Sequence, residues 1–160
     1  MSYIVSGLPA EPFQAYLGLD ADALAALQAR RVIAGDDGRF PCRVSLQNAA
    51  PGEALLLVNY QHQDADTPYR SNYAIFLREA ALTQAGDVSR FTDELPPVFK
   101  DRPMALRAFS QDGTLLDAEL VPMGGDLPAA IERGLGKPDV AYLHAHNAAH
   151  GCFAARIDRA

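Results

Sequence analysis

The 160-residue chain has no apolar run approaching the roughly 20 residues a bilayer span requires. Its start, M-S-Y-I-V-S-G-L-P-A-E-P-F, lacks the basic region and apolar stretch of a secretory signal. These absences point to an intracellular, cytoplasmic protein with no membrane contact. Positive charge is also scarce: 14 lysines and arginines face 20 acidic residues, for a net charge of -6. A binder of phosphate backbones carries the opposite excess, so nucleic acid is not an expected partner. Two cysteines, Cys42 and Cys152, are too few for a disulfide framework, and a reducing compartment would leave them as free thiols. No phosphate-binding loop, dinucleotide fingerprint, internal repeat or linker is present. The glutamates Glu53, Glu79, Glu94 and Glu119 are dispersed, so spacing does not suggest a catalytic carboxylate pair. No cofactor is expected.

What is present suits one globular domain over residues 1–160. With 49% hydrophobic and 21% charged residues, the chain can bury a core without a disulfide or structural metal. Tyr3–Ser6 reads as a strand cut off by Gly7 and Pro9. A helix is predicted from Asp20, its cap, with Leu24, Leu27 and Arg31 or Val32 facing inward and Gly35 ending it. In residues 40–46, Cys42, Val44 and Leu46 alternate with Arg43 and Ser45, as in a half-exposed strand. The run around Leu55, Leu56, Leu57 and Val58 predicts a central strand over 54–61, and 73–78 predicts its neighbour. Residues 80–103 look irregular, with a helical turn before Pro96 and Pro97. A hairpin of Met104–Phe109 and Leu115–Val121 follows, then a short helix over 126–134, with Asp126 as its cap and Pro128 in its first turn.

The densest chemistry lies in residues 144–153, H-A-H-N-A-A-H-G-C-F, which hold three of the four histidines and one cysteine. Strands over 140–146 and 152–158 can pair as a hairpin. Alternation puts Tyr142, His144, His146, Cys152 and Arg156 on one face, and Leu143, Phe153 and Ile157 on the other. His144 and His146 stand about 6.6 Å apart along a strand, close enough to share a metal ion if His62, His150, Cys152, Glu53 or Glu79 supplied a third ligand. Facing one another, His146 and Cys152 could act as base and nucleophile. An inert buried cysteine beside Phe153 is the plainer alternative. Arginine offers a third reading: Arg43, Arg70 and Arg107, with the histidines and Asn147, could hold a carboxylate or phosphate by multidentate hydrogen bonds. Asn147 and Gly151 also suit a tight loop with positive φ.

Taken together, F-P-C-R-V-S-L at 40–46, A-x-P-G-E at 49–53, P-Y-R at 68–70, I-F-L-R-E at 75–79, L-R-A-F at 106–109 and the 144–153 run resemble a bacterial family designated domain of unknown function 1203. The resemblance implies no activity. The expected fold is α+β: a mostly antiparallel sheet of about six or seven strands, two helices and a C-terminal β-hairpin. The expected function is binding of a small anionic or polar molecule at Arg43, Arg70, His144, His146 and Asn147. The alternatives are an enzyme using Cys152 with His146 or a metal on His144 and His146, and a homodimeric interaction module built on the terminal hairpin.

Overall fold

The computed structural model describes every residue except Arg39 and Ala85. Its strands are β1 (Tyr3–Ser6), β2 (Ala29–Ile33), β3 (Ala54–Gln63), β4 (Ser71–Arg78), β5 (Arg90–Thr92), β6 (Met104–Phe109), β7 (Leu115–Val121), β8 (Tyr142–Asn147) and β9 (Phe153–Arg159). They form a six-stranded antiparallel sheet, ordered β5-β1-β9-β8-β6-β7, and a three-stranded sheet, β2-β3-β4. The α-helices are α1 (Ala21–Ala26), α2 (Glu79–Leu82) and α3 (Leu127–Leu135). None is long and apolar enough to cross a membrane.

One face of the large sheet is sealed by α3. Asp126 caps this helix by accepting from the Ala129 amide at 3.0 Å, and a proline occupies the first turn, where no intrahelical donor is lost. Leu127, Ala130, Ile131 and Leu135 are buried against Leu106, Leu143, Ala145 and Ile157. Each fully buried large aliphatic side chain stabilises the fold by about 1.5–3 kcal/mol. A second core lies under the small sheet, where Leu56, Val58, Ile75 and Leu77 meet Leu24, Cys42 and Leu82. The opposite face of the large sheet meets the far end of β3, bringing the two sheets together around β8 and β9.

The α+β class and terminal hairpin match the sequence expectation, but three local predictions require correction. Asp20 does cap a helix, accepting from the Ala23 amide at 2.9 Å, but α1 stops at Ala26. Gln28 then takes a left-handed φ of 53° and the chain turns into β2. Arg31 and Val32 therefore belong to a strand paired with Leu56 and Leu55, and Gly35 ends no helix.

The alternation at 40–46 is that of a turn, with isolated bridges at Pro41 and Cys42. The Cys42 amide donates to the Gln47 carbonyl at 2.9 Å and the Leu46 amide to the Cys42 carbonyl at 3.1 Å, while Leu46 sits at a φ of 54°. A left-handed leucine costs on the order of 1–2 kcal/mol and persists where its surroundings over-determine it. Here the Val98 amide donates to its carbonyl at 3.3 Å, and its side chain is fully buried. Gly7 lets β1 pass against this turn, since a Cβ there would lie 2.2 Å from the Val44 carbonyl oxygen.

The segment 80–103 contains more structure than expected: α2 begins at Glu79, β5 pairs with β1, and the helical turn Pro97–Phe99 follows Pro96. Ala85, within that segment, lies outside the described residues.

Candidate functional site

The terminal hairpin builds two adjacent sites of different character. Its register pairs His144 with Arg156 and Ala145 with Ala155, then slips so that His146 pairs with Phe153. This bulge adds one residue to β9 and reverses the inside-outside parity beyond it. Phe153 thus lies on the histidine face, correcting its predicted place beside Leu143 and Ile157. It stacks on His62 at 5.6 Å between ring centroids and meets His144 and His146 at 5.0 and 6.0 Å.

His62 arrives from β3, and its ring lies 5.1 Å from His146 and 6.2 Å from His144. Burial, with Arg107 nearby, holds His62 at a pKa of about 4. Burial and the neighbouring histidines, Arg156 and Arg107 hold His144 at about 3. His146 is also held at about 3, chiefly by burial, despite its contact with the Gly151 carbonyl. All three rings are neutral near pH 7. In neutral His146, Nδ1–H donates to the Gly151 oxygen at 2.9 Å, which makes Nε2 an acceptor. His146 Nε2, His144 Nδ1 and His62 Nδ1 have no described hydrogen-bond partner. Among the described residues, no three His, Cys, Asp or Glu side chains are placed to hold one metal ion. Of the proposed third ligands, His62 approaches the pair, whereas Glu53 is paired with Arg78 at 2.6 Å and Glu79 with Arg31 at 2.6 Å. Tyr142 completes this cluster: its hydroxyl accepts from Gln63 at 2.9 Å, and the Arg156 guanidinium lies 3.8 Å from its ring centre.

The second site is a cleft of about 770 Å³ at the other end of the hairpin, between its loop, the 41–46 turn, the 100–103 loop and strands β3 and β4. Leu57, Ala74 and Phe76 form an apolar wall, while Arg43, Asn48, Arg102, Asn147 and Cys152 supply polar groups. A predominantly apolar concavity with a few convergent polar groups is the usual form of a small-molecule site.

Arg43 is 2% exposed, contrary to the half-exposed position expected of it. The turn directs its side chain inward, where Nε donates to the Phe153 carbonyl at 2.8 Å, one terminal nitrogen to the Pro41 carbonyl at 2.5 Å, and the other to Cys152 Sγ at 3.1 Å. No carboxylate pairs with it among the described residues. Burial pulls its pKa below the usual arginine value, and nearby Cys152 and Cys42 oppose that fall. Asn147 lies at the end of β8 rather than in a positive-φ loop; its amide donates to Cys152 Sγ at 3.2 Å and accepts from Arg102 at 3.5 Å. Arg102 also reaches Asn48 Oδ1 at 3.3 Å.

The predicted residues therefore separate. Arg43, Asn147 and Cys152 converge in the cleft. His144 and His146 belong to the neighbouring aromatic cluster, and the Cys152 sulfur is held by Arg43 and Asn147 rather than by His146. Arg70 joins neither group: it lies in the β3–β4 loop, bonded to the Ala65 carbonyl at 3.2 Å and 3.5 Å from Asp66. Arg107, on β6, pairs across the sheet with His144. Arg102, Asn48 and Lys100 were not anticipated, because they lie in segments with no periodic pattern to orient them. The two cysteines are free and buried.

No curated protein and no solved structure matches this chain. The model of one family, described as a protein of unknown function (DUF1203), matches residues 39–159, and the chain belongs to that family.

Proposed function

We propose that the cleft between the hairpin loop and the small sheet binds a small anionic molecule, a carboxylate or phosphate compound. The observation that carries this reading is charge imbalance. Two guanidiniums, Arg43 and Arg102, flank one concave site, each partly or fully withdrawn from water, and neither has a carboxylate ion pair among the described residues. Elsewhere on the chain Arg31, Arg78, Arg133 and Arg156 each pair with an acidic side chain. Unpaired, partly desolvated cations are costly, and a bound anion would offset that cost with charge-assisted hydrogen bonds.

Arg102 would make the principal contact, because Arg43 is engaged by two carbonyls and a sulfur. Asn48 would supply neutral hydrogen bonds, and Lys100 would add positive potential. Asp101 also lines the cleft and would favour ligands that carry a donor as well as the anionic group. The apolar wall at Leu57 and Phe76 would take a carbon skeleton.

Thermal unfolding with inorganic phosphate or citrate, against sodium chloride at matched ionic strength, tests the proposal. A ligand at 100 times its dissociation constant stabilises by about 2.7 kcal/mol. Phosphate or citrate is expected to raise the midpoint of the wild-type protein and to have little effect on Arg102→Gln. Equal midpoints in phosphate, citrate and chloride would contradict the proposal.

A further inference from the structure

Cys152 lies in the floor of this cleft, 9% exposed, and the groups around its sulfur have an unusual polarity. Both side-chain partners, Arg43 at 3.1 Å and Asn147 at 3.2 Å, are donors, and the sulfur donates to no described group. Arg43 is a nearly fully buried cation whose other two contacts are neutral carbonyls, so Cys152 is its one side-chain contact among the described residues. A cationic donor beside a sulfur that lines a cleft is a setting for nucleophilic cysteine chemistry. Cys42 provides an internal contrast: it is fully buried, does not line the cleft, and accepts from the Ser45 and Arg78 amides at 3.5 and 3.3 Å.

We infer that Cys152 is a nucleophile that exchanges with a carboxylate-bearing low-molecular-weight disulfide seated in the cleft, a reading that rests on the anion site proposed above. The Cys152 thiolate attacks the nearer sulfur of the disulfide, and a new S–S bond forms as the ligand's own S–S bond breaks. The electron pair of the broken bond leaves on the distal sulfur as a free thiolate. Cys152 is oxidised to a mixed disulfide, the departing half of the ligand is reduced, and no proton moves. A second thiolate reverses the step.

Disulfide exchange fits this site better than acyl or phosphoryl transfer because it needs neither a base on the nucleophile nor an acid on the leaving group. No described base touches the sulfur: its two side-chain neighbours are donors, and the Nδ1 of His146 is committed to the Gly151 carbonyl. Arg102 and Lys100 line the space into which the leaving thiolate would move. The volume of about 770 Å³ is ample for a peptide-sized ligand.

The test is to incubate the reduced full chain with glutathione disulfide and, in parallel, with uncharged 2-hydroxyethyl disulfide, following intact and peptide masses. One glutathionyl group is expected on Cys152, removed by dithiothreitol and absent from Cys152→Ser, with Cys42 unmodified. Arg102→Gln should slow the glutathione reaction about tenfold more than it slows the neutral reaction, the worth of one charge-assisted hydrogen bond to the carboxylate. No adduct on Cys152 from either disulfide would overturn the thiol chemistry. If phosphate still raised the unfolding midpoint of Cys152→Ser in that case, the anion site would stand without it. Adducts forming at equal rates from both disulfides, with Arg102→Gln without effect, would overturn the choice of a carboxylate-bearing partner.

Discussion

The two ends of the hairpin face carry opposite solutions to burying polar groups. Around His62, His144 and His146, rings that could be charged are kept neutral by burial and packed as aromatics against Phe153 and Phe109. A few residues away, Arg43 remains a cation in a dry environment, surrounded by two carbonyls and a sulfur. A group with an ordinary pKa near 6.5 can lose its proton to avoid the desolvation cost, whereas a guanidinium cannot. Neutrality spares the histidines the cost of a buried charge, although one nitrogen of each ring has no described hydrogen-bond partner, while the arginine keeps its charge and needs acceptors for its donors built around it. That difference is the reason the proposed anion site is the cleft rather than the histidine-rich cluster.

Arg43→Ala should produce the largest effect that could break this contrast. It removes a buried cation and leaves the Phe153 and Pro41 carbonyls without that donor, so a loss of about 3–5 kcal/mol is expected in urea unfolding. A loss below about 1 kcal/mol would mean that Arg43 is not integrated as described.

Acid sensitivity comes next. The folded-state pKa values of His144 and His146, each about 3, lie below the ordinary 6.5. Between those values the unfolded chain binds protons that the folded chain does not, so this contribution to stability is complete above about pH 6.5 and falls as pH drops toward 3. Each ring should contribute a slope of about 1.4 kcal/mol per pH unit. Arg43, Arg107, Arg156 and His62 face the pair and add to the cost of protonation. His144→Phe should remove one such slope and leave phosphate binding intact; unfolding curves from pH 4 to 7 read both. An unchanged slope would contradict the assignment of His144 as a buried neutral ring.

Arg102→Gln, by contrast, should change stability by less than about 1 kcal/mol while weakening anion binding about tenfold. The smallest effect is expected for Lys100→Gln, about a twofold loss of affinity at low ionic strength that disappears in about 1 M salt, as screening at an exposed position predicts. A salt-resistant loss would make Lys100 a direct ligand.

Much of this contrast was legible in the residues, and the parts that were not have local causes. The hairpins β6–β7 and β8–β9 join apolar-rich segments across short stretches of turn residues, so their pairing could be read directly. The pairing of β1 with both β5 and β9 joins distant segments, and no local pattern announces it. Strand β2 was hidden because no glycine or proline separates it from α1; the break falls on Gln28. The bulge at Ala154 moved Phe153 to the histidine face, something alternation alone does not show. Arg43 was recognised as an anion-site candidate, but its burial depends on a turn whose alternating composition imitates a strand.

Calorimetric titration with citrate at constant ionic strength, on wild-type protein, Arg102→Gln and His144→Phe, addresses the central claim most directly. The account predicts one site per chain in the wild type, the same site in His144→Phe, and binding about tenfold weaker in Arg102→Gln. Binding retained by Arg102→Gln and lost in His144→Phe would place the ligand in the histidine cluster and contradict the account.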